Sequence, residues 1–374
     1  MSFRISKPSN IVNVAINEYK VAPQVLYTQS IPTQGRYWVD GFLSNNIAFF
    51  NNQDSTQGTL YQINDVSAIA TFNFSTTDVS RTAFSVHIEN NRMFTWQGNT
   101  WFTCYDISNP FVPTVLQSFR GSFPDGIRMN SPPQKVGNHL YLMGTNRYSV
   151  VNISNPIDMS STVLPVSPVL TGDYAYSRML DNYFVMINTR TYVHYLWSVN
   201  SSGYFPVFTS IPLDPSTNFT GFRNGQFGSS FLGIIRNCGL DKFVMGGSDP
   251  SGNNAIRTFE ISGNTIVPLS PFIVLPNISF SGPGNCITVD DNLLYVTGNN
   301  GFMAIYNINN LTSPTLLSVT PIVSLVRAVQ VSGNRAVLGS RSVPTSLQTI
   351  TVRNNVPQNY FLKDLDIKKY KRFN

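Results

Sequence analysis

The sequence predicts an all-β protein built from small antiparallel sheets, and three observations lead there. Short apolar runs fill the chain, broken about every ten residues by Asn, Gly and Pro, with 25 Gly and 23 Pro in 374 residues. No segment sustains a helical 3.6-residue period, and glutamate, a favoured helix residue, occurs only as Glu18, Glu89 and Glu260. The third observation is repetition. Two-residue turns recur at Asn45-Asn46, Asn90-Asn91, Gly137-Asn138, Asp181-Asn182, Leu240-Asp241, Asp291-Asn292 and Gly333-Asn334, spaced by 45, 47, 44, 59, 51 and 42 residues.

Each repeat reads as four strands. A short segment such as "RAVQVS" or "CITVD" precedes the turn, and a compact apolar run such as "HLYLMG", "LLYVTG", "YFVMIN" or "KFVMGG" follows it, which is a tight hairpin. About ten residues later comes a third alternating run, as in "GTLYQIN", "WFTCYDIS", "YSVVNIS" and "GFMAIYNIN". It often ends in Asn-Pro or a similar turn, and a fourth run follows: "PTVLQSF", "STVLPV", "FPVFTSI" or "SPTLLSV". Seven such units predict a seven-bladed β-propeller of four-stranded antiparallel blades, because sheets stacked around an axis bury both faces and so tolerate dense apolar runs.

The ends of the chain complete this scheme. Residues 23–32, "PQVLYTQSIP", match the fourth strand of "PTVLQSFRG" and "PTLLSVTP", whereas the last unit supplies only three strands, "VRAVQVSG", "RAVLGS" and "LQTITV". An N-terminal strand within 21–34 is therefore predicted to complete the last blade and cover its edge. "NYFLKDL" (Asn359–Leu365) competes for that place, but its match is poorer. The predicted organisation is an N-terminal extension 1–20, a propeller over 21–355 and a basic C-terminal tail 356–374.

The segments "CYDISNPFVPTVLQSF" and "VVNISNPIDMSSTVLPV", with the hairpins "VSGNRAVLGS" and "VGNHLYLMGT", resemble the LVIVD repeat, whose pattern runs roughly "GLxIIDISNPxxPxxVG" after a "VxGNYAYVA" hairpin. The resemblance covers units two, three, six and seven, and is weak in four and five. It implies a propeller and no particular activity. In composition, rich in Asn, Ser, Thr and Phe and poor in charge, the chain also resembles structural proteins of large-virus particles.

With 42% apolar, 13% aromatic and 12% charged residues, the chain has ample core material and about half the usual charge. No signal-peptide stretch opens it and no eighteen apolar residues run together, so an intracellular protein without a membrane span is expected. Cys104, Cys238 and Cys286 are odd in number and lack CxxC spacing, which predicts free buried thiols rather than disulfides or a zinc site. The six Asn-x-Ser/Thr sequons, at Asn73, Asn152, Asn200, Asn218, Asn277 and Asn310, follow from the 40 asparagines.

Candidate chemistry is sparse. Paired carboxylates for glycoside cleavage find only Asp40, Glu89, Asp290 and Asp291 near first strands, where they read as turn and hairpin-end residues. His87, His139 and His194 fall in different units without ligand spacing, so no metal, cofactor or catalytic residue is assigned. GxSxG and phosphate-loop signatures are lacking. Arginine stands out instead. Arg36, Arg81 and Arg128 each lie ten residues before the Asn that closes their hairpin, and Arg178, Arg236 and Arg327 lie nearer the turn. On or just before first strands, they are candidates for a positive ring at one channel mouth, able to hold an anion or acidic segment through forked hydrogen bonds, or to fill the channel by bonding carbonyls and water.

The tail "KDLDIKKYKRFN" carries Lys363, Lys368, Lys369, Lys371 and Arg372 against Asp364 and Asp366, with Lys368, Lys369, Lys371 and Arg372 the candidates for partner docking. Residues 1–17 alternate apolar positions in a way suited to adding a strand to a neighbouring sheet. The expected function is a non-catalytic structural or interaction propeller in a larger assembly such as a virion. Its expected partners are other structural proteins or copies of itself, with nucleic acid less favoured. Two alternatives stay open: a propeller hydrolase or lyase acting at the arginine mouth, and a glycan-binding protein using aromatics of the long segment Leu213–Gly233.

Overall fold

The computed structural model describes residues 23–31, 41–44, 47–51, 57–62, 69–73, 85–97, 101–120, 134–143, 147–165, 175–180, 183–188, 194–199, 208–212, 235–262, 265–280, 286–332, 335–340 and 345–352. Among them there is no helix, and every strand belongs to one of seven antiparallel sheets. In chain order, sheet one comprises Gly41–Ser44, Ile47–Asn51, Gln57–Gln62 and Ile69–Asn73. Sheet two comprises Ser85–Glu89, Arg92–Gln97, Trp101–Asp106 and Thr114–Arg120, and sheet three Gln134–Val136, His139–Met143, Arg147–Asn152 and Ser160–Pro165. Sheet four is Ala175–Leu180, Tyr183–Asn188, His194–Val199 and Phe208–Pro212. Sheet five is Ile235–Gly239, Lys242–Ser248, Asn254–Ser262 and Thr265–Pro268, joined by a short fifth strand, Ile273–Val274. Sheet six is Ile287–Asp290, Leu293–Thr297, Phe302–Asn307 and Thr315–Pro321, and sheet seven Val326–Ser332, Arg335–Ser340 and Thr345–Thr351, with Gln24–Ile31 as its outer strand.

Each first hairpin closes around the predicted two-residue turn. The flanking pairs are Ser44 with Ile47, Glu89 with Arg92, Val136 with His139, Leu180 with Tyr183, Gly239 with Lys242, Asp290 with Leu293, and Ser332 with Arg335. Asn90 and Asn91 take φ of 48° and 58°, the two successive positive values of a type I′ turn, which Asn tolerates better than most residues.

The apolar runs are dense because the sheets pack on both faces. In sheet six, Leu294, Val296, Ala304 and Tyr306 pack toward Val244 and Ile256 of sheet five. The alternate residues Leu293, Tyr295, Met303 and Ile305 pack toward Val326, Val329, Ala336 and Leu338 of sheet seven. Sheets two and three share a core of Phe94, Phe102, Cys104, Leu140, Leu142, Val151, Ile153 and Met159. Period-2 alternation thus alternates between two buried environments, and a one-residue slip would exchange them.

The recurring D/N-I-S/N-N motif acquires a physical explanation. At the end of the third strand in sheets two, three and six, Asp106, Asn152 and Asn307 accept from the backbone N–H two residues on, at 2.8, 2.9 and 2.9 Å. The next asparagines, Asn109, Asn155 and Asn310, repeat the bond to Phe111, Ile157 and Thr312 at 3.1, 3.3 and 3.1 Å. These are paired Asx turns. Between them Ile107, Ile153 and Ile308 are buried, and each donates its N–H to the carbonyl of the first hairpin's second turn residue, Asn91, Asn138 or Asn292, at 2.8 Å. Two sequon asparagines, Asn152 and Asn310, therefore serve as backbone caps.

Sheet five departs from this pattern. Ile261 keeps the bond to the hairpin, its N–H reaching the Asp241 carbonyl at 2.8 Å, but Ser262 pairs with Thr265, so only two residues link the third and fourth strands. The chain then makes an excursion over Leu269–Phe280. Its strand Ile273–Val274 pairs with Ala255 and Ile256, and Leu275, Ile278 and Phe280 fill the core between sheets five and six. Arg257 holds its start, donating Nε–H to the Ser270 carbonyl at 3.0 Å with its guanidinium 4.7 Å from the Phe272 ring centre.

The N-terminal strand Gln24–Ile31 pairs antiparallel with Thr345–Thr351, from Gln24 opposite Thr351 to Ile31 opposite Thr345, with one irregularity between Val25 and Tyr27. The competing segment 359–365, the extension 1–20 and the tail 356–374 lie outside the described residues.

Candidate functional site

The first strands of the sheets carry the predicted site residues that are described. Counting pairs from each first turn, the third residue of every second strand faces a residue of the first: Phe42, His87, Gln134, Arg178, Arg236, Thr288 and Gln330 in sheets one to seven. Six of these seven equivalent positions are polar. Arg178 and Arg236 are thus one register position, opposite Val185 and Val244. Arg327 is not, since it falls in the irregularity between Val326 and Ala328. Arg36, Arg81, Arg128, Lys368, Lys369, Lys371 and Arg372 lie outside the described residues.

Sequence reasoning missed the other polar members of this layer because it aligned arginines ten residues before the turn. Three residues before the turn finds six of the seven positions. Sheet five breaks the count through a shift between Asn237 and Gly239, which moves Arg236 into the place that Asn237 would hold.

Arg236 is buried, and its Nη1 donates to the Ile235 carbonyl at 2.8 Å. His87 is half-buried, with Nε2 3.5 Å from the Glu89 carboxylate. Burial pushes its pKa below the ordinary 6.5, an effect that Lys135 reinforces and Glu89 opposes. The imidazole is thereby held neutral at pH 7. Lys135, on the first strand of sheet three, forms an ion pair with Glu89 and so bridges the first strands of sheets two and three. That bridge occupies the one first-strand glutamate. Asp291 sits in its turn at φ 52°, as expected of a turn residue, and Asp290 closes the adjoining pair with Leu293.

The remaining candidates are dispersed. His139 opens the second strand of sheet three, buried and with its pKa lowered by that burial, and His194 opens the third strand of sheet four. Among the described residues no group of three or more His, Cys, Asp and Glu could hold a metal ion. None of the three cysteines is in a disulfide, and burial raises the Cys104 and Cys238 thiols to about 12, so neither presents a thiolate at neutral pH. The geometry places polar residues at one register level of the first strands, together with exposed apolar side chains on the turns and fourth strands.

The exposed apolar side chains recur. Phe111, Val112 and Ile157 project from the turns between third and fourth strands of sheets two and three, and Val115, Leu316 and Leu317 lie on the outer strands of sheets two and six, all exposed. Both outer strands carry a β-bulge at the same place, opposite Cys104/Tyr105 and Ile305/Tyr306. No described helix is long and apolar enough to cross a membrane.

No family model matches this chain, and no curated protein matches it. Solved structures of β-propellers resemble it in fold. BamB from Moraxella catarrhalis aligns at 10% identity and TM-score 0.47, covering 84% of each chain. The N-terminal domain of Nup159 aligns at 9% identity and TM-score 0.48, over 89% of this chain and 95% of that one. A chain from the S. cerevisiae Dbp5 complex with Nup159, Gle1, IP6 and ADP aligns at 8% identity and TM-score 0.49, covering 90% and 95%. Likenesses at this level carry no information on activity or partners.

Proposed function

We propose that the seven sheets close into one propeller ring, sealed by Gln24–Ile31, and that the ring is a protein-interaction module built into a larger assembly, of which a virus particle is an example. Support for the ring comes from the first strands of neighbouring sheets, several of which touch one another. Gly41–Ser44 lies against Val326–Ser332 and Ser85–Glu89, Ile287–Asp290 against Ile235–Gly239 and Val326–Ser332, and Ala175–Leu180 against Ile235–Gly239. The Glu89–Lys135 pair joins sheets two and three.

The observation that carries the functional reading is the repeated exposed apolar rim, Phe111, Val112, Val115, Ile157, Leu316 and Leu317. Isolated exposed apolar residues are ordinary, but here the turn position recurs in sheets two and three, and the fourth-strand position in sheets two and six. The bulges twist the outer strands and blunt backbone pairing, which suits a partner that meets side chains rather than an unpaired ladder. In this reading the inner polar layer fills the axis, and the rim and termini make the contacts.

A chain carrying Phe111→Ser, Val112→Ser and Ile157→Ser tests it. Recovery of the variant in the native assembly is expected to fall at least about tenfold, the equivalent of 1.4 kcal/mol, with an unchanged thermal midpoint. Undiminished recovery would count decisively against the rim.

A further inference from the structure

Three titratable groups meet where sheets two and three face each other. His87 and Glu89 lie on one face of the first strand of sheet two, and Lys135 reaches them from the first strand of sheet three. A single carboxylate oxygen, Glu89 Oε2, serves both nitrogen-bearing side chains: it is ion-paired with Lys135 Nζ and stands 3.5 Å from His87 Nε2. The two contacts differ in kind. The contact to His87 is longer than an ordinary hydrogen bond, and its ring nitrogen is shut off from solvent. Lys135 is the most exposed of the three side chains, at 34% against 22% for each of the others, so its ammonium can return to water and His87 Nε2 cannot.

We propose that this cluster is an acid-sensitive latch: a proton on His87 draws the Glu89 carboxylate away from Lys135 and so releases the first strand of sheet three from that of sheet two. A doubly protonated ring makes Nε2 an obligatory charged donor, and charge-assisted N–H···O bonds shorten to about 2.7–2.9 Å. Closing the 3.5 Å gap moves the shared oxygen toward His87, while imidazolium and ammonium repel each other across it. The neighbouring positions leave the exchange to these three groups. Phe94 stands opposite His87 with ring centres 6.3 Å apart, Arg92 stands opposite Glu89 and has Asp106 across from it on the third strand, and Leu140 stands opposite Lys135. His139, opposite Val136, belongs to the alternate face of sheet three. Burial disfavours the proton on His87, Glu89 favours it and Lys135 disfavours it, so the latch holds at neutral pH and loosens on acidification. The strand it releases, Gln134–Val136, has three residues and pairs with His139–Met143 on one side, and a segment this short opens at low cost.

His87, His139 and His194 are the chain's three histidines, so histidine-labelled full-length protein gives three imidazole signals, and His87→Gln identifies one of them. Titrated by NMR from pH 7.5 to pH 5, the His87 midpoint is expected to rise in Lys135→Gln, which removes an opposing charge, and to fall in Glu89→Gln. By linkage, a variant whose native ring accepts its proton more readily loses less stability on acidification. Lys135→Gln should therefore lower the folding constant about threefold at pH 7.5, as loss of a partly exposed ion pair does, and much less at pH 5. In a His87→Gln background the deficit should be the same at both. Amide protection over 134–136, corrected for intrinsic exchange, should fall on acidification at least about tenfold more than protection over 140–142, and His87→Gln should abolish that difference.

A His87 midpoint that Lys135→Gln leaves in place would overturn the exchange of partners. Loss of protection at 134–136 that persists in His87→Gln would do so as well, because the proton would then be acting at another group. Equal loss over 134–136 and 140–142 would mean that acid loosens sheet three as a whole and that there is no latch. Should His87→Gln fail to fold, substitution of His139 and of His194 assigns the remaining signal, and the titrations of Lys135→Gln and Glu89→Gln decide.

Discussion

Sheets two, three and six connect their third and fourth strands through seven residues arranged as paired Asx turns, whereas sheet five does so through two residues and sends the chain on an excursion over Leu269–Phe280. The two solutions pack in opposite directions along the chain. In the regular sheets the turn reaches back to the preceding sheet: Gln117 of sheet two receives the Met159 N–H at 2.5 Å and donates to the Met159 carbonyl at 3.3 Å. Likewise Thr258 of sheet five donates its hydroxyl to the Leu311 carbonyl of sheet six at 2.5 Å. Sheet five has no such turn, and its excursion packs forward, so that Leu275, Ile278 and Phe280 join Ile308 of the sheet-six turn in the core shared by sheets five and six. One inter-sheet core is therefore filled by a regular turn from one side and by the excursion from the other.

The largest effect that could break this comparison comes from the apolar anchors. Ile308 in the regular turn and Leu275 in the excursion are 4% and 5% exposed, within one cluster. If the two segments are equivalent as fillers, Ile308→Ala and Leu275→Ala should each lower unfolding free energy by about 2–5 kcal/mol, and within about 1 kcal/mol of each other. Urea midpoints at constant m-value measure this. A Leu275→Ala cost below about 1 kcal/mol would make the excursion an ornament on a core complete without it.

A second substitution sharpens the comparison by displacing the excursion without removing an apolar side chain. Gly298 ends the second strand region of sheet six, and a Cβ there would meet the Ser279 backbone nitrogen and Asn300 Oδ1, both at 2.8 Å. Backbone of the excursion cannot swing aside as a flexible side chain would. The contact also sits among bonds that dock the excursion on the Asn299–Asn300 turn, where the Asn299 N–H reaches the Ser279 carbonyl at 2.9 Å and the Ser279 N–H reaches Asn300 Oδ1 at 3.1 Å. Gly298→Ala is expected to cost about 1–3 kcal/mol, with amide exchange accelerated over 275–280 and not over 153–159. Uniform acceleration would mean that the excursion opens only with the whole core.

The regular sheets were legible in the sequence for a physical reason. Two-residue turns require residues that tolerate positive φ, and paired Asx turns require Asp or Asn at fixed offsets, so local chemistry writes both into the residue order. The N-terminal strand could be read in the same way, because "PQVLYTQSIP" carries the fourth-strand pattern. The excursion was invisible: "PLSPFIVLPNISF" has no local signal that separates a core filler from a loop, since its burial is decided by sheets five and six together. The polar register position of the first strands was half seen. Arg178 and Arg236 attracted notice by charge, while His87, Gln134, Thr288 and Gln330 share their position only through register, which Cα pairing reveals and residue type does not.

The smallest expected effect is pH dependence, and it sits in the regular pair of sheets two and three. His87 and His139 both have native pKa values below the unfolded 6.5, through burial in each case, with Glu89 opposing and Lys135 reinforcing the shift at His87. Between the native value and 6.5 the unfolded chain binds a proton that the native chain refuses, so stability must rise with pH across that window. The contribution is fully present above pH 6.5, is lost as pH falls, and stops changing once pH is below the native values. Sheet five carries no histidine, so this slope is a property of the other region. The expected outcome is a urea midpoint lower at pH 5 than at pH 7.5, with His87→Gln flattening the difference in part and a second change, His139→Gln, flattening it further. A midpoint that rises toward pH 5 would reverse the sign, and with it the conclusion that the His87 ring is held neutral beside the Glu89–Lys135 pair.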